Sequence, residues 1–372
     1  MGRVVIVGGG VLGMMHAVQA CRRGLDVVHL EREAAPRGAS VRNFGLIWVS
    51  GRAPGPELAL AQRARTLWEE LAALVPAAGF RAHGSLTVAT DDAELALLKE
   101  AAARPDATER GFELLDHRAA AQLNPALRGE FTGALLCRRD AIVEPRRVPA
   151  AFRDYLSGQG HGYDWWPGRE AVAVAPRAVR DHAGEWHRGD LVVLCPGAAH
   201  TGIAGPHLTA YPAPPVRRVR LQMLQTDPLS ARLTTSVADG DSLRYYPAYE
   251  LPGRAQLAPQ APIAAAAAAQ LLLVQRLDGS LTIGDTHSYD EPFDFDVDEQ
   301  PYDHLLARAE RLLGAPLPPV RRRWAGVYSQ ATGPELYHRS VVAPGVVLVT
   351  GAGGRGMTCA PAIAEETFAA SA

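Results

Sequence analysis

The sequence predicts an α/β chain in which a doubly wound, mostly parallel domain is interleaved with an α+β domain on a mostly antiparallel sheet. Three observations predict it. Residues 3–31 read as apolar strand, glycine-rich turn, helix and second apolar strand. Residues 346–370 repeat the strand, glycine turn and helix at the far end of the chain. Between them lie alternating and hairpin-forming stretches, which suit an antiparallel sheet.

The opening unit is the most specific. Val4 to Val7 is a β-branched run followed by Gly8-Gly9-Gly10-Val11-Leu12-Gly13. Gly8 allows the tight turn, Gly10 lets the backbone approach a pyrophosphate, and Gly13 lets the helix pack on the strand. Met14 to Arg23 reads as a helix ended by Gly24, and its N-terminus offers free N–H groups to phosphates. Residues 25–30 form the second strand, and Glu31 at its end suits a ribose diol. This fingerprint points to a dinucleotide and leaves FAD and NAD open.

Composition narrows the classes. A chain of 372 residues suggests two domains. A formal charge of -2 gives no field to attract nucleic acid or anionic membrane, and no apolar run reaches membrane-spanning length. Met1 directly precedes the first strand, so no signal peptide and a cytoplasmic location are expected. Cys21, Cys137, Cys195 and Cys359 are scattered, without metal-ligand spacing, so no metal is expected. Lys99 is the one lysine, in a polar helical stretch, which disfavours pyridoxal chemistry.

The remaining elements follow in order. Residues 32–45 form a loop at the carboxyl edge of the sheet, where Ser40 and Arg42 suit phosphate oxygens. Helices are expected at Pro56–Leu74, 91–103, 117–123, 148–157 and 301–313. Strands are expected at 84–89, 133–136, 190–195 (with a turn at Gly197), 216–226 and 243–247. Residues 271–276 and 281–287 read as a hairpin about Asp278-Gly279, and the alanine-rich 256–269 as low-complexity helix or linker.

Taken together, these pieces resemble the D-amino-acid oxidase (DAO) family of flavoproteins, which includes glycine and sarcosine oxidases. The resemblance rests on residues 7–31, 38–45, Asp140 with Glu144-Pro145-Arg146, 192–198, Trp324-Ala325-Gly326 and 350–358. It implies a Rossmann-like FAD-binding domain at 1–80, 135–212 and 322–372, and a substrate domain at 81–134 and 213–321. It implies an FAD site at Gly8, Gly10, Val11, Leu12, Gly13, Glu31, Arg32, Ser40, Arg42, Asn43, Gly197, Gly353, Gly354, Arg355, Gly356, Met357 and Thr358. Members with covalent flavin carry a cysteine after the segment matching Trp324-Ala325-Gly326. Val327-Tyr328-Ser329-Gln330 has none, so FAD is expected to be non-covalent.

The implied reaction is oxidation of a small primary or secondary amine to an imine that water hydrolyses, with O2 as acceptor and hydrogen peroxide as product. Glycine and D-amino-acid oxidases carry a carboxylate-binding arginine where this chain has Tyr328. The loop 37–45 is similar to a bacterial subgroup associated with aminophosphonate metabolism. An amine with an anionic end is therefore expected, possible candidates including an aminoethylphosphonate. The alternatives are a D-amino-acid, glycine or sarcosine oxidase with another anchor, or a dehydrogenase relaying electrons to a partner. An NAD-dependent dehydrogenase is a further alternative.

The expected site side chains are His287, Tyr328, Arg244, Tyr246 and Arg355. His287 lies on a stretch that resembles a sarcosine oxidase strand bearing an active-site histidine. Arg244 and Arg355, ahead of Arg218 and Arg220, are the expected anchors for the anion. Tyr245, Tyr246, Tyr249, Tyr328 and Trp48 offer an aromatic wall for an ammonium. On a strand Tyr245 and Tyr246 would face opposite ways. A monomer or homodimer is expected.

Overall fold

The structure is a computed structural model that describes residues 2–160, 162–209 and 214–371. At the centre of the first sheet is β1 (Arg3–Val7), whose Val4, Val5 and Ile6 are wholly buried. A strand with no polar face needs cover on both sides, which a parallel sheet with flanking helices provides. β1 leads into α1 (Val11–Arg22) and β2 (Asp26–Glu31). A six-stranded sheet places β1 between β2 and Leu191–Leu194, with Tyr163–Pro167 on one edge. Val346–Thr350 and His338–Ala343 complete the other side. All pairings are parallel except that of the last two strands.

The glycine turn is fixed by contact. Gly8 has φ +103°, and a Cβ there would lie 2.3 Å from the Cys195 carbonyl oxygen. A Cβ on Gly13 would lie 1.8 Å from the Gly8 oxygen, so the helix reaches this close only with glycine. His29, wholly buried on β2, holds the same turn: Nε2 lies 3.0 Å from the Gly8 oxygen and Nδ1 3.1 Å from the Tyr163 hydroxyl. A carbonyl only accepts, so Nε2 carries the proton and Nδ1 accepts from the tyrosine. Burial pushes the His29 pKa down to about 4, which keeps this neutral tautomer.

After β2 the chain passes through α2 (Pro56–Leu74) to an eight-stranded sheet. At its core β3 (Val216–Pro228) pairs with β4 (Ser280–Gly284) and with β5 (Val320–Ala331), both antiparallel. β4 also pairs with Leu272–Gln275, the hairpin expected from the sequence. The other strands are Ser236–Ala238, Ser85–Ala89, Gly133–Cys137 and Phe112–Asp116. The chain returns to the parallel sheet and ends in α3 (Gly356–Ala370), which packs with α1 and α2 in one core.

Several sequence expectations change here. Residues 322–331 and 135–137, placed with the first domain, lie in β5 and Gly133–Cys137 of the antiparallel sheet. The boundary expected at 212 and 213 lies outside the described residues. Residues 243–247 are not a strand: Ser242–Tyr245 is a helical turn and Pro247–Tyr249 a 3-10 turn. Proline 247 removes a ladder donor, and Asp241 opens the turn in helical conformation. The alanine-rich stretch, expected as helix or linker, holds the short helix Pro262–Ala266, in keeping with that expectation. Ala171–Ala175, Ala178–Asp181 and Trp186–Arg188 form a small meander that apolar patterning did not reveal.

Candidate functional site

One cavity joins the two sheets. Its floor comes from Val11 at the start of α1, the loop with Ser40, Arg42 and Asn43, and the turn Gly353 to Met357 at the start of α3. Its upper wall comes from Tyr245, Tyr246, Gln270, Asp285, His287, Tyr289 and Tyr328.

The floor is built from open helix ends. In neither α1 nor α3 does the N-cap residue make a side-chain hydrogen bond, and neither has an acid in its first turn, so no charge within either helix offsets its positive dipole end. Ser40 Oγ accepts from the Val11 N–H at 2.8 Å, bringing the loop onto the turn. Glu31 caps the neighbouring turn, accepting from the Gly9 and Glu33 N–H groups at 2.7 and 2.9 Å. A dinucleotide with its phosphates at α1 and its ribose at Glu31 fits this set of donors and acceptors.

The upper wall is a tyrosine box around a buried carboxylate. Asp285 is 6% exposed and accepts from Gln270 Nε2 at 3.2 Å. His287 Nε2 lies 3.8 Å from Asp285, while Nδ1 is 3.1 Å from the Ala268 carbonyl. The His287 ring stacks on Tyr245 at 4.4 Å. Burial pushes the Asp285 carboxyl up, and the nearby His287 and Gln270 only partly offset it. Burial likewise raises the phenols of Tyr245, Tyr246 and Tyr328, so all three stay neutral.

The helical turn at 242–245 brings Tyr245 and Tyr246 into the cavity together, edge to face at 5.1 Å. A strand would have turned one away. Tyr328, on β5, lines the same cavity. Tyr249 is buried elsewhere, its hydroxyl 3.3 Å from Thr87 Oγ1.

The expected residues divide clearly. His287, Tyr328, Tyr246, Arg355, Val11, Ser40, Arg42, Asn43, Gly353, Gly354, Gly356 and Met357 line the cavity. Gly8, Gly10, Leu12, Gly13 and Glu31 form the adjoining turn or its support. Arg32 is largely exposed beside Glu33. Gly197 lies at the end of the parallel sheet, where its carbonyl accepts from Thr350 Oγ1 at 2.8 Å. Thr358 does not line the cavity; its Oγ1 accepts from the Trp48 N–H at 2.9 Å.

Arg244 is not in the cavity. Its guanidinium turns to the Gly240 and Ala258 carbonyls and toward Glu94 and Asp241, because the helical turn aims it away from the box. Arg218 pairs with Glu291 at the surface, and Arg220 binds Gln222 and the Asp296 carbonyl. Sequence reasoning missed Arg52, Glu57, Gln270, Asp285 and Tyr289. Asp285, two residues before His287, was the one with a readable signal: an acid inside an apolar strand stretch.

Asp181, Glu185 and His187 also gather, but Arg169 donates to Asp181 at 2.9 Å and occupies that cluster as an ion pair. No helix among the described residues is long and apolar enough to cross a membrane.

Comparison with known proteins agrees with this architecture. A putative thiamine biosynthesis oxidoreductase of Rhizobium etli is 31% identical over 242 residues, covering 63% of this chain and 63% of that protein. The D-amino-acid oxidase of Streptomyces coelicolor is 31% identical over 250 residues, covering 65% and 64%. The matches thus span just under two thirds of these relatives' lengths. The structure of glycine oxidase from Geobacillus kaustophilus superposes with TM-score 0.77 at 19% identity, over 100% of this chain and 95% of that one. Iminodiacetate oxidase from a Chelativorans species gives 0.75 at 18%, over 98% and 93%. The model of the family described as FAD dependent oxidoreductase (DAO) matches residues 3–370. The chain belongs to the DAO family of FAD-dependent oxidoreductases.

Proposed function

We propose that the protein oxidises a small primary or secondary amine bearing an anionic group, such as an aminoethylphosphonate, with O2 as acceptor. The observation that carries this reading is Asp285: a buried carboxylate inside a tyrosine box that shares its cavity with the open end of α3. Relatives named D-amino-acid oxidase, glycine oxidase and iminodiacetate oxidase support an amine or amino-acid substrate.

FAD would be held by Val11, Ser40, Arg42 and the turn Gly353 to Met357, with Glu31 at the ribose. Non-covalent attachment is supported by the cavity lining, which includes none of the four cysteines. Bound there, FAD supplies the two-electron oxidant for the C–H beside the amine nitrogen. The chain's own part is recognition and proton handling. Asp285 pairs with an entering ammonium and accepts its proton, a role suited to a carboxyl raised above its usual range. The faces of Tyr245, Tyr246 and Tyr328 take a cationic or methylated nitrogen and exclude water. Gln270 holds Asp285 in place.

An amine panel tests this. The holoprotein is incubated with 2-aminoethylphosphonate, its N-methyl forms, glycine, sarcosine and D-alanine. Oxygen uptake with one carbonyl formed per amine consumed is expected. Carbonyl formation only with an added dye would make it a dehydrogenase, and no carbonyl from any amine would refute amine oxidation.

A further inference from the structure

The loop after Ile47 carries donors left without a hydrogen-bond acceptor among the described residues. Trp48 is 2% exposed and lines the cavity, and its Nε1–H has no partner among the described residues. An indole N–H can only donate, and this one has no acceptor among the described residues. Arg52, 6% exposed, lines the same cavity. Its Nε donates to the Trp48 carbonyl at 2.9 Å, and Nη2 reaches Thr358 Oγ1 at 3.5 Å. Nη1 stands 3.6 Å from Glu57, beyond hydrogen-bond reach, and remains free to donate.

Charge points the same way. Glu57 also faces Arg355 Nε at 3.2 Å. Two guanidiniums share one carboxylate, which leaves a net positive charge in a buried place. Tyr246 separates this end from Asp285: its ring packs on Trp48 at 5.8 Å, and its hydroxyl lies 3.5 Å from Gln270. The cavity is thus positive at one end and negative at the other.

The loop is held rigidly enough to present these groups. Asp140 accepts from the Val49 and Ser50 N–H groups at 2.5 and 3.0 Å. Arg110, wholly buried, donates to both of their carbonyls at 3.1 Å.

We infer that Trp48 Nε1–H and the Arg52 guanidinium form the subsite for the substrate's oxyanion, a carboxylate or a phosphonate. This rests on the amine-oxidation reading. It replaces Arg244 as the anchor and accounts for a tyrosine at position 328.

The test is equilibrium binding without turnover. Methylphosphonate and acetate are titrated into the holoprotein while the flavin absorbance is followed. One or both should perturb the spectrum, and the tighter one names the oxyanion. Arg52→Gln should weaken that binding about 10- to 100-fold and Trp48→Phe by about tenfold or less, with partial recovery in Arg52→Lys. The ratio of kcat/KM for an anionic amine over a neutral one should fall in parallel. Wild-type affinity in Arg52→Gln and Trp48→Phe, or no perturbation by either probe in the wild type, would overturn the inference. If Arg52→Gln fails to fold, Trp48→Phe decides alone. Probe binding that persists while no amine yields carbonyl would refute amine oxidation and leave the subsite standing.

Discussion

In the proposed reading, Asp285 is where the chemistry concentrates. A carboxylate this buried persists only with hydrogen-bond partners, and it has one firm partner, Gln270, with His287 just beyond reach. An incoming ammonium would supply the missing charge. Its pKa is raised, so the ionised form needed for binding is lost as pH falls through a value above the ordinary carboxylate range. kcat/KM for the amine should therefore fall on the acid side with that pKa. Asp285→Asn should lose that limb and about 100-fold in kcat/KM. Persistence of the limb in the variant, measured by a pH profile, would assign it to another group. The sequence made His287, Tyr328 and Arg355 legible because each sits in a stretch with a recognisable pattern. Arg52 and Glu57 were illegible, because what marks them is burial in a shared cavity, a property of the fold alone, whereas Asp285 carried a readable signal as an acid inside an apolar stretch. Arg244 was misjudged for the complementary reason: a side chain's aim depends on whether its backbone is strand or helical turn.

Among the elements, β1 and β2 were readable almost to the residue, while α1 starts at Val11 rather than at the Met14 expected. Continuous β-branched burial, glycines forced by contact and an acid at the strand end leave little freedom there. The support beneath them was not readable. His16 on α1 and His29 on β2 are wholly buried, and burial lowers each to a pKa of about 4 from 6.5. The unfolded chain binds protons at these sites from about pH 6.5, whereas the folded chain resists until about 4. Their contribution to stability is thus present above pH 6.5 and falls as pH drops toward 4. Asp239, held near 6 by burial, works in the opposite sense below that pH. The informative measurement is a difference: the loss of melting temperature between pH 7 and 4.5 should be smaller in His16→Met than in the wild type. An equal loss would show that α1 does not carry this acid sensitivity.

At the scale of the molecule, the cavity draws on the start of α1, the loops after β2, β3, the 242–245 turn, the segment after β4, β5 and the start of α3. Such convergence cannot be read from any one stretch. The sequence could indicate two sheets and a dinucleotide turn, but not that the tyrosine box would close over the second helix end. The family match fixes FAD dependence, and the proposed reading sets the substrate's amine at one end of the bipolar cavity and its anion at the other. The most direct measurement is anaerobic bleaching of the flavin absorbance. The holoprotein is mixed with 2-aminoethylphosphonate, sarcosine and D-alanine, and with their hydroxy counterparts. The account predicts bleaching by one or more of the amines and none by the hydroxy compounds. Bleaching by hydroxy compounds alone, or a flavin that stays oxidised with every amine, would contradict it.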